Sequence, residues 1–296
     1  MRLLITGGCG LIGYKLIEEF RGRAIIGYTM HNHVCPIVGA TGFSLNVCDR
    51  NRTREVIRGF SPDAIIHTAG ATDVDFCERK PDVAWRINTT GTKNVVEGAE
   101  EIGSTVIFYS TSFVFDGTKR SYVPHDKPNP LNVYGETKFA AEQMVLDSTA
   151  PGLILRTDQP FGWSKNWQRD TMVEWVLNQL RRNEPFPVFQ DWRNCPTYID
   201  DLVEMTLSLV TNEHRGIYHC VGSEYVSRYQ WAKLIADIFG MNKQLIIKGH
   251  SEEANFPAVR PNVHLQNTKM YAETGIETHS LIESTRKLHE VVNVSN

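Results

Sequence analysis

The sequence predicts an α/β fold built on a doubly wound parallel sheet, with a smaller lobe towards the C-terminal end. Apolar, strand-like runs alternate with helical segments through the first half of the chain, which is typical of a parallel sheet because each parallel connection needs a crossover helix. A glycine-rich turn at residues 7–13 joins the first strand to the first helix. With 296 residues, 41% of them hydrophobic, the chain can bury the core of one large domain or two smaller ones.

The elements of the first half follow one another at regular spacing. Strands are predicted over residues 2–6, 24–28, 42–47, 64–67, 105–109 and 152–156. Helices are predicted over residues 14–20, 52–60 and 86–101, followed by a central helix that carries Tyr134 and Lys138. Right-handed crossovers place the carboxyl ends of all these strands at one edge of the sheet, where ligands bind.

The composition changes at about residue 160, where tryptophans and prolines become frequent. Helices are predicted over residues 171–182, 227–239 and 281–291, with another that begins at 198, and a strand over residues 216–221. Asp200 and Asp201 are interpreted as a helix cap rather than an acid pair. We therefore predict one domain over residues 1–158 and a smaller lobe over residues 159–296, with strands near 152–156 and 216–221 returning to the first sheet.

Whole-chain properties exclude several classes of function. A formal net charge of −3 gives no support for a nucleic-acid binder, and no apolar run approaches the roughly 18 residues of a membrane helix. The six cysteines show no Cys-x-x-Cys spacing, which predicts reduced thiols in a cytoplasm, without disulfides or a zinc site. His31 and His33 have no third ligand nearby, so no metal is expected.

The glycine turn has the context of a dinucleotide site. Gly7, Gly10 and Gly13 follow a strand and open a helix, where glycines allow backbone N–H groups to approach a pyrophosphate. After the second strand, Tyr28 is followed by residues 29–33, Thr-Met-His-Asn-His, without the carboxylate that usually binds the ribose 2′-hydroxyl of NAD. NADP(H) is therefore favoured, and NAD(H) stays possible because no arginine stands there either.

Tyr134 and Lys138 form the candidate catalytic pair. Four residues along a helix make about one turn, so the two side chains share a face. A nearby ammonium favours the phenolate, so we expect the pKa of Tyr134 to fall from its usual value of about 10. Thr111, at the end of the strand over residues 105–109, offers a hydroxyl that can bond the same substrate oxygen, although a Ser/Thr turn explains it equally.

Together these residues resemble the extended short-chain dehydrogenase/reductase superfamily, whose fold is of the Rossmann type. The resemblance is sharpest with the dTDP-4-dehydrorhamnose reductase group, and its carriers are residues 7–13, 67–70, 74–78, 88, 91–95, 109–111, 114–117, 130–138, 155–157, 196–202 and 260–262. One departure loosens the substrate assignment. That group often has Asp after the catalytic threonine, where this chain has Ser112.

The resemblance implies an NADP(H)-dependent reductase of a 4-keto-6-deoxy nucleotide sugar, in which NADPH delivers hydride to C4. Tyr134 would protonate the carbonyl oxygen that Thr111 holds, and Lys138 would lower the pKa of Tyr134 and bond the nicotinamide ribose. Other cofactor contacts are expected from Gly7, Gly10, Leu11, Ile12, Gly13, Thr29, His31, Asn46, Val47, Thr68, Ala69, Gly70, Asn88 and Thr157. Asn166 and Arg193 are expected at the diphosphate of the nucleotide sugar. A homodimer is compatible with the family.

Two alternatives stay open. A nucleotide-sugar epimerase or dehydratase of the same superfamily is less favoured, because Ser112 and Phe113 supply no acid or base beside Thr111. The other alternative is a non-catalytic NADP-binding regulatory subunit, like the beta subunit of methionine adenosyltransferase, which also resembles this family. The intact set of Thr111, Tyr134 and Lys138 favours an enzyme, since a pure binder needs no tuned phenol.

Overall fold

The computed structural model describes the backbone of residues 1–294 and the side chains of residues 1–291. Its strands are β1 Arg2–Thr6, β2 Ile25–Met30, β3 Ala40–Ser44, β4 Ala64–His67, β5 Thr105–Thr111, β6 Gly152–Thr157, β7 Pro160–Phe161, β8 Phe186–Phe189, β9 Arg193–Asn194, β10 Thr197–Tyr198, β11 Gly216–His219, β12 Val226–Ser227 and β13 Ile246–Gly249. Seven of them form one parallel sheet in the order β11-β6-β5-β4-β1-β2-β3. The strand order reverses between β4 and β1, which is where a doubly wound sheet opens a ligand cleft.

Helices cover both faces of this sheet, and others lie among the short strands outside it. They are α1 Leu11–Phe20, α2 Arg50–Phe60, α3 Val74–Arg79, α4 Pro81–Trp85, α5 Gly91–Ile102, α6 Val133–Leu146, α7 Met172–Arg181, α8 Ile199–Thr211, α9 Arg228–Ile238, α10 Thr268–Thr274 and α11 Leu281–Val294. Short turns of other helical types are Arg86–Thr90 (π) and Ser112–Val114, Lys243–Leu245 and Ser251–Ala254 (3₁₀). Within residues 1–294 no helix is both long and apolar enough to cross a membrane.

The strand period of two divides the apolar side chains between two cores. On β1, Leu3 and Ile5 face the core that includes α1 and α8, while Leu4 faces the core beneath α2 and α5. All three side chains are fully buried, as expected for a central strand that is covered on both faces. Burial on both sides explains why the strands read as continuous apolar runs.

Most predicted elements are present, and the predicted return of two late strands is confirmed. β6 pairs with β5, and β11 pairs with β6 at the edge of the main sheet. Ser227 caps α9, and its side chain accepts a hydrogen bond from the Gln230 N–H. The helix predicted over residues 86–101 begins instead as a π turn and continues as α5.

The interpretation of Asp200 and Asp201 as a helix cap is wrong. α8 begins after Tyr198 without a side-chain cap. Asp200 bonds Lys15 Nζ at 2.7 Å, whereas Asp201 is buried and accepts from His279 Nδ1 at 2.5 Å. The two carboxylates therefore join α8 to α1 and to the segment before α11, contacts that no local pattern specifies.

Candidate active site

The glycine turn is shaped to bring backbone against a ligand at the N-terminus of α1. A Cβ on Gly13 would clash with the Gly7 carbonyl, so only glycine lets the helix start this close to β1. The Gly7 N–H donates to the buried Thr29 Oγ1 at 3.3 Å, which ties the turn to the end of β2. Leu11 and Ile12 begin α1 directly after Gly10. The turn and the helix terminus fit a pyrophosphate.

Cys9 in this turn forms a disulfide with Cys35, so the prediction of six reduced thiols is wrong. The cysteines are 26 residues apart with Cα atoms 5.8 Å apart. They meet because β1 and β2 are adjacent parallel strands whose following loops emerge at the same edge of the sheet. The Cys9 carbonyl accepts from Trp167 Nε1 at 3.2 Å and from Gln168 Nε2 at 2.9 Å. The other cysteines, 48, 77, 195 and 220, are free.

The turn after β4 lies beside the glycine turn. Thr68 Oγ1 donates to the Thr6 carbonyl at 2.6 Å, and the Ala69 N–H donates to Thr6 Oγ1 at 3.3 Å. Asn88 is almost fully buried, bonds the Ala71 N–H and carbonyl at 2.7 and 3.1 Å, and donates to Thr137 Oγ1 at 3.0 Å. Asn88 therefore holds the turn that contains Gly70 against α6. Its side-chain amide is bonded within the protein and is not free to bind a ligand.

The predicted cofactor residues in the loops after β2 and β3 differ in how firmly they are held. Val47 is buried and its carbonyl accepts from Asn94 Nδ2 at 2.9 Å. Asn46 is exposed and its side chain accepts from the Cys48 N–H at 3.0 Å. His31 is exposed in the loop after β2, and among the described residues no cluster of side chains could hold a metal ion.

Thr111, Tyr134 and Lys138 come together at the carboxyl end of β5. α6 starts at Val133, where Asn132 caps it by accepting from the Gly135 N–H at 2.8 Å. A Cβ on Gly135 would clash with the Phe113 carbonyl, so glycine permits the close approach that brings Tyr134 to the Thr111 hydroxyl. The Thr111 hydroxyl lies close enough to the Tyr134 phenol to lower the pKa of that phenol. Lys138 is buried one turn further on, with Nζ 3.9 Å from the centre of the Phe108 ring.

Burial dominates the protonation of this pair, and the pKa of Tyr134 does not fall below its usual value as expected. Desolvation raises the pKa of Tyr134 above its usual value, and the neighbouring Thr111 hydroxyl opposes this only in part. Desolvation lowers the pKa of Lys138 to about 7, against the opposing charge of Glu142. The phenol therefore stays protonated at neutral pH, and the lysine is the group that titrates there.

The end of β6 adds residues to the site, and one of them the sequence reading missed. Thr157 lies opposite Thr111 in the sheet, and its buried hydroxyl has no hydrogen-bond partner among the described residues. An unpartnered buried donor here fits the predicted contact with a cofactor. Asp158 follows, buried, and accepts from Ser112 Oγ at 3.1 Å. The position of Asp158 directly after the predicted cofactor residue Thr157 is the sequence signal that could have identified it.

The lobe contributes guanidinium groups stacked on aromatic rings. The predicted substrate residue Arg193 lies 4.9 Å from the centre of the Tyr225 ring and donates to the Tyr225 carbonyl. Arg228 lies 3.6 Å from the centre of the Trp192 ring. Arg260 bonds Asp75 of α3 at 2.6 Å, which puts it at the junction of lobe and sheet. Sequence reasoning missed Arg228, Arg260 and Trp192 as site candidates, since they lie far apart along the chain.

Asn166, the other predicted substrate residue, lies elsewhere. It is exposed, in the segment whose Trp167 and Gln168 bond the Cys9 carbonyl. That segment adjoins the glycine turn, so Asn166 borders the cofactor side of the site. The prediction that Asn166 contacts a sugar diphosphate stays a prediction.

Comparison with known proteins agrees with this geometry. Residues 1–293 match the family described as the RmlD substrate binding domain. The chain belongs to this family. The dTDP-4-dehydrorhamnose reductases among its structural neighbours are NAD(P)-dependent oxidoreductases, and this chain shares their Rossmann-like fold with the seven-stranded parallel sheet described above.

The proteins that this chain resembles include reductases and proteins with other functions. The structure is similar to dTDP-4-dehydrorhamnose reductase from Bacillus anthracis in complex with NADP, with a TM-score of 0.88, 26% identity, and coverage of 98% of this chain and 99% of that chain. Methionine adenosyltransferase 2 subunit beta from Bos taurus is 29% identical over 248 residues, covering 81% of this chain and 72% of the relative. The spore coat polysaccharide biosynthesis protein SpsK of Bacillus subtilis is 26% identical over 287 residues, covering 97% and 96% of the two chains.

Proposed function

We propose that this protein is an NADP(H)-dependent reductase of a 4-keto-6-deoxy nucleotide sugar, of the dTDP-4-dehydrorhamnose reductase kind. The observation that carries the proposal is the placement of Tyr134 beside the Thr111 hydroxyl at the end of β5, with the buried Lys138 one turn further along α6. The similarity to a reductase solved with NADP supports it. Tyr134 and Thr111 provide a proton donor and a second hydroxyl for one substrate oxygen.

The residues of the site would hold the cofactor along the edge of the sheet. The backbone of residues 7–13 and the N-terminus of α1 would bind the pyrophosphate, and Thr157 and Lys138 would contact the nicotinamide end. The loop after β2 carries no carboxylate at residues 29–33, so a 2′-phosphate would meet no repulsion. When bound, the nicotinamide supplies the hydride for the carbonyl carbon.

The protein's own residues would handle the oxygen and its proton. Thr111 holds the carbonyl oxygen, where negative charge develops as the carbon is reduced. Tyr134 transfers its phenolic proton to that oxygen, and the product is an alcohol. Burial, which raises the pKa of Tyr134, keeps that proton in place at neutral pH. The environment of the phenol therefore suits the reductive direction.

A regulatory role is the second candidate, favoured by the similarity to methionine adenosyltransferase 2 subunit beta. A binding subunit of this kind would take up NADP(H) without oxidising it in the presence of any nucleotide sugar. An epimerase would convert its substrate without net consumption of NADPH. Cofactor consumption therefore separates the three roles.

The test is NADPH oxidation with dTDP-4-dehydro-6-deoxy-L-mannose, followed by loss of absorbance. We expect turnover by the wild-type protein and a decrease of at least about 100-fold in Tyr134→Phe, because the general acid is lost. NADPH binding, followed by fluorescence, should persist in that variant. Full activity of Tyr134→Phe would contradict the role given to Tyr134, and binding without turnover across a panel of 4-keto nucleotide sugars would favour the regulatory role.

A further inference from the structure

A loop over residues 164–171, here called the strap, lies between β7 and α7. Both of its ends are bound to the carboxylate of Glu174 on α7. Glu174 Oε1 accepts from the Ser164 N–H at 3.0 Å and from Ser164 Oγ at 2.7 Å. Glu174 Oε2 accepts from the Thr171 N–H at 2.8 Å. The base of the strap is therefore fixed to α7 by three bonds to one side chain.

The tip of the strap reaches the glycine turn. Trp167 Nε1 and Gln168 Nε2 both donate to the Cys9 carbonyl, at 3.2 and 2.9 Å. The Trp167 ring meets the Tyr14 ring edge to face, with the ring centres 6.0 Å apart. These contacts hold the tip against the start of α1, which is the position that fits a pyrophosphate.

The next residue of the strap reaches the other side of the ligand crevice. Arg169 donates to the Asp73 carboxylate at 2.7 Å, and Asp73 caps α3 in the segment that follows β4. β1 and β4 are the neighbouring strands between which the strand order reverses, and a dinucleotide lies across the crevice at such a point. Residues 167–169 therefore span the crevice from the turn after β1 to the segment after β4.

The contacts at the tip are weaker than those at the base. The side chains of Arg169 and Asp73 are 73% and 35% exposed, and an exposed ion pair contributes little because water and salt screen it. Trp167 is also exposed, so a hydrogen bond to water can replace its bond to Cys9 at little cost. Thr171 at the base is buried. The tip can therefore open and close while α7 and its capping contacts stay folded.

We propose that the strap closes over the bound dinucleotide and must open for the cofactor to enter or leave. The inference rests on the proposed function only for its cofactor, and it requires no sugar substrate. Trp167, Gln168 and Arg169 hold the strap closed through bonds to other parts of the protein. They control the passage of the cofactor and take no part in the reaction itself.

This arrangement predicts a distinctive effect on binding kinetics. If the cofactor passes only when the strap is open, the rate constants for binding and for release are both proportional to the fraction of open molecules. A substitution that weakens the tip raises this fraction equally in the free and the cofactor-bound protein, because the bonds that it removes lie within the protein. Both rate constants should then rise by the same factor, and Kd should not change.

The experiment is stopped-flow fluorescence of NADPH binding and of NADPH displacement by excess NADP⁺. The double variant Gln168→Ala/Arg169→Ala should raise both rate constants by about tenfold, the effect of losing one exposed hydrogen bond and one exposed ion pair. Its Kd should stay within about twofold of the wild-type value, because the two rate constants change together. Arg169 is exposed, so its replacement leaves the core intact.

Asp73→Asn isolates the ion pair from the rest of the tip. Asparagine can still accept from the Phe76 N–H at the start of α3, but it carries no charge for Arg169. Asp73→Asn and Arg169→Ala should each raise both rate constants by about threefold, and together no further, because the two residues form one contact. Arg52→Ala is the matched control, since Arg52 forms an exposed ion pair with Glu55 on α2. It should leave both rate constants at the wild-type values.

The outcomes separate this inference from the proposed reaction, because neither measurement uses a sugar. Equal increases in binding and release support the strap even if no 4-keto sugar is reduced. Wild-type rate constants in Gln168→Ala/Arg169→Ala would overturn the inference and leave the reductase proposal standing. Faster release without faster binding would also overturn it, because that result indicates direct contact with the cofactor instead of control over its passage.

Discussion

Replacing Lys138 with methionine tests the claim that an ammonium is buried at the bottom of the site at a cost in stability. Desolvation lowers the pKa of Lys138 from 10.5 to about 7. At about 1.4 kcal/mol for each tenfold change in the ionisation constant, that change corresponds to at most about 5 kcal/mol. Methionine has a similar length and no charge, so we expect Lys138→Met to unfold at higher urea concentration than the wild-type protein near pH 6.

The pH dependence gives the prediction its sign. Below pH 7 the lysine is protonated in both the folded and the unfolded states, and the full desolvation cost opposes folding. Between pH 7 and 10.5 the unfolded state binds more protons, so the free energy of unfolding of the wild-type protein rises with pH relative to that of the variant. The stability difference between the two proteins should therefore be largest near pH 6 and shrink towards zero by about pH 10.5.

The assay is urea unfolding of both proteins, without cofactor, at several pH values from 6 to 10.5. Lys93→Met is the control, because Lys93 lies on α5 with 59% of its side chain exposed, and its small effect should not change with pH. From the proposed contact between Lys138 and the nicotinamide end, we expect Lys138→Met also to lose most of its affinity for NADPH, which would show that stability and cofactor binding conflict at this position. A difference between Lys138→Met and wild type that is constant over this pH range would refute the reasoning.

Two further predictions concern what holds the site in place. Cys35→Ser removes the disulfide to Cys9. For a loop of 26 residues we expect a loss of about 3 kcal/mol in the free energy of unfolding and weaker NADPH binding. Addition of a dithiol to the wild-type protein should reproduce both changes, and an unchanged cofactor affinity would show that the disulfide does not support the glycine turn. Glu142→Gln leaves Arg156 buried without its carboxylate, to which it donates at 2.8 and 2.6 Å, so chemical denaturation should show a loss of about 3–5 kcal/mol. The exposed Glu55→Gln should change stability by less than about 1 kcal/mol, and similar losses in the two variants would show that burial of the Arg156 pair does not matter.

The sequence by itself determined the elements whose signals are local. The apolar run of β1, the glycine turn and the start of α1 are adjacent in the chain, so their order predicted both the fold and the cofactor end of the site. Ser227 as a helix cap and the shared face of Tyr134 and Lys138 are also properties of a few consecutive residues. The alternation of strands and helices then indicated which edge of the sheet carries the site.

Only the tertiary structure decided which distant residues meet and what their surroundings do to them. Cys9 and Cys35 bond because two neighbouring strands end at the same edge, and Asp158 reaches Ser112 for the same reason across β5 and β6. The pKa of Tyr134 rises, although the helix spacing predicted a fall, and the pKa of Lys138 falls. Desolvation depends on everything packed around a group, and here it outweighs the effect of one neighbour on the helix. Spacing along the chain shows which residues are neighbours on the same helix or strand. Burial and contacts between elements exist only after the sheet and the remaining helices have packed together.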